Sequence, residues 1–295
     1  MIELKLCKAD GCRLPALWQT EFCRQHLPDA ARYFQRLPDL LTAAQGANLA
    51  RVDLRHREID GADLTDAVLT GATLDGTSFT GCTLANTCCR GASARGASFN
   101  EIDGDGLDAS SAILTATKWL HVRLEHSHFA GSVLESSELR GAELAHADFT
   151  RASLRQSVFA QCSFREAWLC QADVAEAVFD GCDLSWAVLA GLRGESVSLR
   201  RAALISANLV DAFLDGADLS EVQAEQARFS TATLTGARLT GANLHKAVLR
   251  EADLRGADLR NADLSGAILE RANLEGADLT GANLDGANMN GVIIP

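Results

Sequence analysis

Large apolar residues recur at every fifth position from Leu49 to Ile294. The series has no insertion or deletion, and because 294 − 49 = 245 is 49 steps of five, it makes 50 consecutive units. Nearly every member is Leu, Phe, Ile, Val, Trp or Met. A small residue, mostly Ala, stands two positions before it, as Ala252 does before Leu254, and Asp or Asn often lies between. Residues 46–295 therefore form one repeat array.

A period of five matches neither the 3.6 of an α-helix nor the 2.0 of a flat strand. If the large and the small residue of each unit both point inward, the chain must turn a corner in the remaining three positions. Gly stands at many of these corners, for example Gly256, Gly266 and Gly276, where it relieves a tight backbone. Repeated corners predict an all-β solenoid, whose coils pair with those above and below at about 4.8 Å.

The units at 252–256 (ADLRG) and 282–286 (ANLDG) resemble the A(D/N)LxX consensus of pentapeptide repeat proteins, and the resemblance covers residues 46–295. It implies a right-handed quadrilateral β-helix with four units, or about 20 residues, in each coil. The array then corresponds to about 12 coils and a rod about 60 Å long.

Residues 1–27 do not follow the repeat and hold a second motif, CKADGCRLPALWQTEFCRQH. Three thiolates and an imidazole at two short spacings suit a closed, tetrahedral structural Zn²⁺ site. The spacing also resembles that of small treble-clef-like zinc knuckles. The competing interpretation is a chance set of buried thiols. The predicted ligands are Cys7, Cys12, Cys23 and His26.

Residues 28–45 join the knuckle to the rod, with Pro28 and Pro38 each opening a short stretch. The apolar spacing of the segment predicts two short helical turns. Knuckle and turns are expected to form an N-terminal cap, because an open solenoid end exposes unpaired strand edges. The alternative is a DNA-binding finger. Residues 1–45 carry six Lys or Arg against five Asp or Glu, a weak electrostatic footprint for nucleic acid.

Two places depart from the repeat without breaking its phase. Gly104 and Gly194 replace large residues, while Ile102, Leu107 and Leu192 stand where Ala is expected. One interpretation is local repacking, in which a large residue in the small position fills the hole left by Gly. The other is a protruding loop that contacts a partner, as the resemblance implies for relatives that act on topoisomerases.

The 20-residue coil allows the outward surface to be read as vertical columns. One corner column and the adjoining wall column then form a candidate partner-binding surface, which we name the corner patch. Three interpretations are open: a solvated corner, a protein-binding hot spot anchored by Trp168 and Trp186, and a surface metal site at His126, His146 and Glu166. The corner patch comprises His126, His128, His146, Asp148, Glu166, Trp168, Trp186 and Val188.

Composition favours a rod in the bacterial cytoplasm. The sequence shows neither a signal-peptide pattern nor an apolar run long enough to span a bilayer. Cys82, Cys162 and Cys182 occupy small inward positions and Cys89 a large one, which indicates reduced core thiols and not a secreted disulfide framework. We expect no enzyme activity, since a narrow rod filled by its own side chains offers no concave site.

Two functional classes follow. The first is a rigid scaffold for protein–protein interaction. The second, implied by the family resemblance, is a DNA mimic that modulates or protects DNA gyrase or topoisomerase IV. Net charge is −12, and residues 1–45 contribute +1, so the rod carries −13, which favours a basic partner over nucleic acid. The open C-terminal coil is also expected to allow end-to-end pairing with a second copy.

Overall fold

The computed structural model describes residues 44–294 continuously, together with residues 8–10, 16, 21, 25–29, 32 and 41. Within this part the chain winds as a parallel β-solenoid. Six short strands form one parallel sheet in the order β1 to β6, each paired with the next along the chain. They are β1 (Glu58–Asp60), β2 (Ser78–Thr80), β3 (Ser98–Asn100), β4 (Lys118–Leu120), β5 (Glu138–Arg140) and β6 (Val158–Ala160).

The pairing register is 20 residues throughout. In the β-sheet Ile59 lies beside Phe79, and isolated parallel bridges extend the same spacing from Asn48↔Val68 to Asn273↔Ile293. Each wall position donates its N–H to a neighbouring coil, as Leu254 does to the carbonyl of Asn273 at 2.8 Å. Four five-residue units therefore complete one coil.

The corner between two units is a β-turn with the geometry of type II. The N–H of Ala252 donates to the carbonyl of Leu249 at 3.1 Å, and Glu251, the third residue of the turn, has a φ of 56°. Type II turns require a positive φ at this position, which Gly adopts without steric cost. The frequent Gly at this corner position, which recurs every five residues, is the sequence signature of the turn.

Asp and Asn between the two inward residues serve the same corner. The carboxylate of Asp263 accepts the N–H of Ser265 at 3.0 Å, and Asp63 accepts that of Thr65 at 3.0 Å. A side chain that binds the backbone two residues ahead mimics a turn. The abundance of Asp and Asn in the repeat thus has a local structural cause.

The interior is one apolar core made of the large and small positions of the units. Aromatic rings stack from coil to coil, with centroids 5.2 Å apart for Phe79 and Phe99 and 3.8 Å for Phe99 and Trp119. Where Thr or Ser replaces the small Ala, its hydroxyl donates either to a carbonyl of the coil below, as Thr77 does to Leu54 at 2.8 Å, or to one in its own corner, as Ser132 does to Phe129 at 2.6 Å. These hydroxyls are therefore satisfied although they are buried.

Outside the continuous solenoid, few residues are described. The N–H of Arg32 donates to the carboxylate of Asp29 at 3.0 Å, the contact of a helix N-cap. Asn48 in the first unit donates its side-chain amide to the carbonyl of Ala16 at 3.3 Å. Among the described residues no helix is long and apolar enough to cross a bilayer.

Candidate functional site

The corner column of the patch lies on consecutive coils. His126, His146, Glu166 and Trp186 all occupy the third turn position, with φ between 56° and 64°. Their backbones are held by the ladder, as shown by the N–H of His126, which donates to the carbonyl of Ala145 at 3.0 Å. The four side chains therefore leave one edge of the rod one above another.

The two imidazoles of the column stack, with ring centroids 5.0 Å apart and planes inclined by 16°. Each ring then faces a different carboxylate. Nδ1 of His126 lies 3.4 Å from Oδ1 of Asp105, and Nδ1 of His146 lies 3.6 Å from Oε2 of Glu166. The result is a ladder of acid, imidazole, imidazole and acid along the corner.

The wall column of the patch is joined by parallel bridges. His128 pairs with Asp148, Asp148 with Trp168, and Trp168 with Val188. The carboxylate of Asp148 also accepts the N–H of Thr150 at 2.8 Å, which fixes its direction. Because the backbone of Trp168 pairs with Asp148 on one side and with Val188 on the other, its indole projects from a backbone that is fixed by hydrogen bonds.

Two tryptophans make the patch apolar at one end. Trp168 and Trp186 each expose 53% of their surface. Sequence reasoning missed Ile205, which is also exposed and whose carbonyl accepts the N–H of Trp186 at 2.9 Å. Column arithmetic could have found it, because Ile205 stands 20 positions after Ser185 and beside the same corner. Phe213 is an exposed aromatic residue on another wall.

Trp186 has an unusual backbone. Its φ is 64°, and within residues 44–294 it is the only large apolar residue among the non-glycine positions with positive φ. A bulky side chain in this left-handed region is strained and costs on the order of 1 kcal/mol relative to the favoured regions. Strain at an exposed aromatic residue is an observation that motivates a functional hypothesis.

Potential metal ligands meet at the lower end of the corner column. Asp105, Glu125 and His126 each offer one ligand atom, and all of these atoms lie within 4.8 Å of one another. This is the one such group among the described residues, and it differs from the sequence-based alternative of His126, His146 and Glu166. The difference arises because the imidazole of His146 turns toward Glu166 and that of His126 toward Asp105.

Family models match most of the chain. The model for pentapeptide repeats matches residues 47–86, 157–191, 198–236, 227–266 and 257–294, and the model for a pentapeptide repeat region matches residues 72–149. The chain belongs to the pentapeptide repeat family. This confirms the family resemblance seen in the sequence of the rod.

Solved structures of other pentapeptide repeat proteins resemble this one. HetL, involved in heterocyst differentiation regulation in Nostoc sp. strain PCC 7120, is 28% identical over 88% of this chain and 94% of its own, with a TM-score of 0.32. Rfr23 from Cyanothece 51142 is 33% identical over 32% of this chain and 64% of its own, with a TM-score of 0.31. The fluoroquinolone resistance protein QnrB1 is 21% identical over 64% of this chain and 91% of its own, with a TM-score of 0.39. No curated protein matches the chain at a significant level.

The pentapeptide repeat wall stays continuous through both irregular places. The N–H of Gly104 donates to Arg123 at 2.8 Å, and that of Gly194 to Phe213 at 2.7 Å. Both contacts belong to the regular ladder, so the chain makes no excursion from the wall at either glycine.

The core around the two glycines is filled from the small positions. Ile102, Leu107 and Leu192 are all buried. A Cβ added at Gly104 would lie 2.8 Å from Cδ2 of Leu124, too close for an unchanged neighbour. Small apolar cavities remain nearby: one of about 20 Å³ is bordered by Leu107, and one of about 10 Å³ by Leu192.

Many acidic groups in residues 44–294 have an ion-pair or hydrogen-bond partner. Arginine pairs with an acid two residues away, as Arg255 does with Asp253, or one coil away, as Arg201 does with Glu221. The guanidinium of Arg255 holds the pKa of Asp253 below its ordinary value, and the hydroxyl of Ser265 does the same for the pKa of Asp263. The carboxylates therefore stay ionised, but many are locally neutralised.

The core thiols have no disulfide partner in residues 44–294. Burial raises the pKa of the Cys89 thiol to about 12 and also raises that of Cys82. Such thiols are protonated near neutral pH and are poor nucleophiles. They act as small apolar residues of the core.

The N-terminal zinc motif is not tested by the structure. Three of its predicted ligands, Cys7, Cys12 and Cys23, lie outside the described residues, and the fourth, His26, is described as exposed. The divisions at 1–27 and 28–45 likewise fall mostly outside the described part. The zinc knuckle and the helical cap therefore stay predictions.

Proposed function

We propose that this pentapeptide repeat protein is a non-enzymatic, rigid scaffold that binds a protein in the bacterial cytoplasm through the corner patch. The observation that carries the proposal is the pair of half-exposed tryptophans, one of them on a strained backbone. Exposed Trp side chains on a rigid surface are the residues that dominate binding energy in protein interfaces. An exposed apolar group of this size on a soluble surface is also typical of a binding site.

The mode of recognition follows from the ladder. Wall positions such as Asp148 and Trp168 already pair with the coils on both sides, so a partner cannot add a strand there. It must contact side chains. Trp168, Trp186 and Ile205 supply apolar contact, while His128, Asp148 and Glu166 form a polar rim.

Affinity capture tests this proposal. The tagged full chain is compared with the double variant Trp168→Ala, Trp186→Gly, in which Gly suits the positive φ of the corner. Phe213→Ala removes an exposed aromatic residue from another wall and is the matched control. We expect a specific partner to be lost by the double variant and kept by Phe213→Ala. Capture of the same partner by the double variant would contradict the proposal.

A DNA-mimicking modulator of DNA gyrase or topoisomerase IV is the alternative, and its supporting observation is the net charge of the rod. The partnered acids weaken it, because a phosphate-like stripe requires exposed charges without adjacent cations. A gyrase supercoiling assay with and without fluoroquinolone separates the two functions. Unchanged supercoiling and drug sensitivity in a large molar excess of this protein would reject the mimic.

The finer architecture is part of the proposal. We infer a right-handed rod of about 12 coils, capped at residues 1–45 by a zinc knuckle with Cys7, Cys12, Cys23 and His26 as ligands. Zinc analysis of the purified protein tests the cap, with about one Zn²⁺ per chain expected from four ligands. Pairing of two copies through the C-terminal coil predicts a concentration-dependent dimer mass, and a constant monomer mass would exclude it.

A further inference from the structure

We propose that Asp105, Glu125 and His126 bind a divalent transition-metal ion at the corner of the rod. The observation is their convergence: one ligand atom from each lies within 4.8 Å of the other two. Metal–ligand distances for carboxylate and imidazole are about 2.0–2.2 Å, so donors bound to one ion lie somewhat closer together than this limit. Small side-chain rotations would bring the three donor atoms to the shorter separation that one bound ion requires.

The backbone holds all three ligands at fixed relative positions. Asp105 and Glu125 occupy the same turn position on successive coils, and the intervening Gly106 donates its N–H to the carbonyl of Glu125 at 2.9 Å. His126 follows Glu125 directly and occupies the corner with a φ of 56°. Only side-chain rotations must be ordered when a metal binds, so the entropic cost is small.

The immediate surroundings support a cation. Within the described residues the carboxylate of Glu125 makes no hydrogen bond or ion pair, whereas Asp105 has the His126 ring as its neighbour. The nearby guanidinium of Arg123 pairs bidentately with Asp103, at 2.6 and 3.3 Å, and its charge also acts on Asp105 and Glu125. Arg123 therefore offsets part of the repulsion between these two carboxylates, and a cation bound directly to both would offset more of it.

The same turn position is rarely acidic on adjacent coils. The coil below carries Ala85 and the coil above Ala145, so Asp105 and Glu125 form an isolated pair in this column. The ring of His146 stacks on that of His126 and limits its rotation. A carboxylate pair with one oriented imidazole is thus a local departure from the repeat and not a product of its consensus.

The donor set selects the class of ion. Two carboxylate oxygens and one imidazole nitrogen suit Zn²⁺, Co²⁺, Ni²⁺ or Mn²⁺, with water completing the coordination. Ca²⁺ and Mg²⁺ prefer all-oxygen sites, and Cu⁺ prefers thiolates. The site is separate from the predicted N-terminal zinc knuckle and does not depend on the proposed scaffold function.

Calorimetric titration of the full chain with NiCl₂ tests the site. His126→Gly removes the imidazole and suits the corner backbone, and Asp105→Asn removes one carboxylate. His56→Gly is the matched control, because His56 also occupies a corner, with a φ of 57°. We expect His126→Gly to bind one Ni²⁺ fewer than the parent, Asp105→Asn to bind that Ni²⁺ at least about tenfold more weakly, and His56→Gly to match the parent.

Histidine NMR signals supply a second readout that places the ion. Paramagnetic Ni²⁺ at substoichiometric amounts should broaden the imidazole signals of His126 and His146 before those of His56 and His245. Equal broadening of all four, or a Ni²⁺ stoichiometry unchanged in His126→Gly, would overturn the proposal. Circular dichroism of each variant confirms that the solenoid is intact, so that loss of binding is not loss of fold.

Discussion

Coils between residues 79 and 194 and coils after residue 199 share one backbone but fill it differently. The first region stacks Phe and Trp rings and leaves two small apolar cavities, one bordered by Leu107 and Trp119 and the other by Leu192 and Val197. The second is filled almost entirely by Leu and Ala. Both keep the same 20-residue register. Turns and ladder hydrogen bonds therefore set the backbone, and side chains can depart from the consensus without shifting it.

The largest effect should come from the aromatic stack. Trp119 stacks on Phe99 and donates its indole N–H to Thr117 at 2.8 Å. Trp119→Ala would enlarge the neighbouring cavity, and we expect a loss of about 4–5 kcal/mol in the free energy of unfolding. Leu239→Ala, on the same wall of the regular region, should lose about 3 kcal/mol. Urea unfolding followed by circular dichroism measures both. Equal losses would remove the energetic distinction between the regions.

Placing the consensus large residue at an irregular glycine should destabilise the fold unless the neighbouring small positions are also returned to Ala. A Cβ at Gly194 would lie 3.0 Å from Cδ2 of Leu214 and 3.1 Å from Cγ1 of Val197. Gly194→Leu is expected to cost about 1–3 kcal/mol by overpacking. Adding Leu192→Ala and Val197→Ala should recover most of this, as judged by the urea midpoint. A triple variant no more stable than the single one would disprove compensation.

Substitutions at corner positions should change the free energy of unfolding in opposite directions in the two regions. Trp186→Gly relieves a left-handed backbone and should raise the unfolding free energy by up to about 1 kcal/mol. Gly256→Ala, at a corner with a φ of 63°, should lower it by about 1 kcal/mol. Thermal unfolding of both variants checks the signs. If Trp186→Gly is destabilised, the indole stabilises the fold and its strain does not mark a binding role.

Lowering the pH should slightly reduce the stability of the regular region, the coils after residue 199. Hydrogen bonds from Arg260 and Arg255 lower the pKa of Asp258 and Asp253 in the folded protein. A carboxylate whose pKa is lower in the folded than in the unfolded protein stabilises the fold at pH values above the unfolded pKa, which is near 3.9. This stabilisation is lost as the pH falls through the folded pKa. Asp258→Asn should therefore reduce the difference between urea midpoints at pH 3 and pH 7. We expect the smallest effect here, since these pairs are solvent-screened, and an unchanged difference would mean that Asp258 contributes nothing.

Much of this molecule could be predicted from its sequence. The unbroken spacing gives the repeat and the corner positions, and a 20-residue coil brings Glu125 above Asp105 and Trp168 above Asp148. These are consequences of backbone register, which a regular repeat fixes. The family assignment follows from the same units.

Side-chain directions could not be predicted in this way. The spacing predicts His126, His146 and Glu166 as possible metal ligands, whereas in the structure the two stacked imidazoles face different acids. Rotamers at a corner depend on neighbours in three coils, and periodicity carries no information about them. Ile205 lies outside the predicted patch for a simpler reason: it stands in a third column, one position before the corner column.

The uniform register also makes the rod a molecular ruler. Inserting one 20-residue coil would move every surface feature beyond it by about 4.8 Å along the axis, while every residue would keep its wall and its type of neighbour. An insertion of five residues would instead turn all later columns by one wall. Distances between surface features on this protein are therefore available in discrete steps: whole coils change the spacing alone, and single five-residue units change the direction as well.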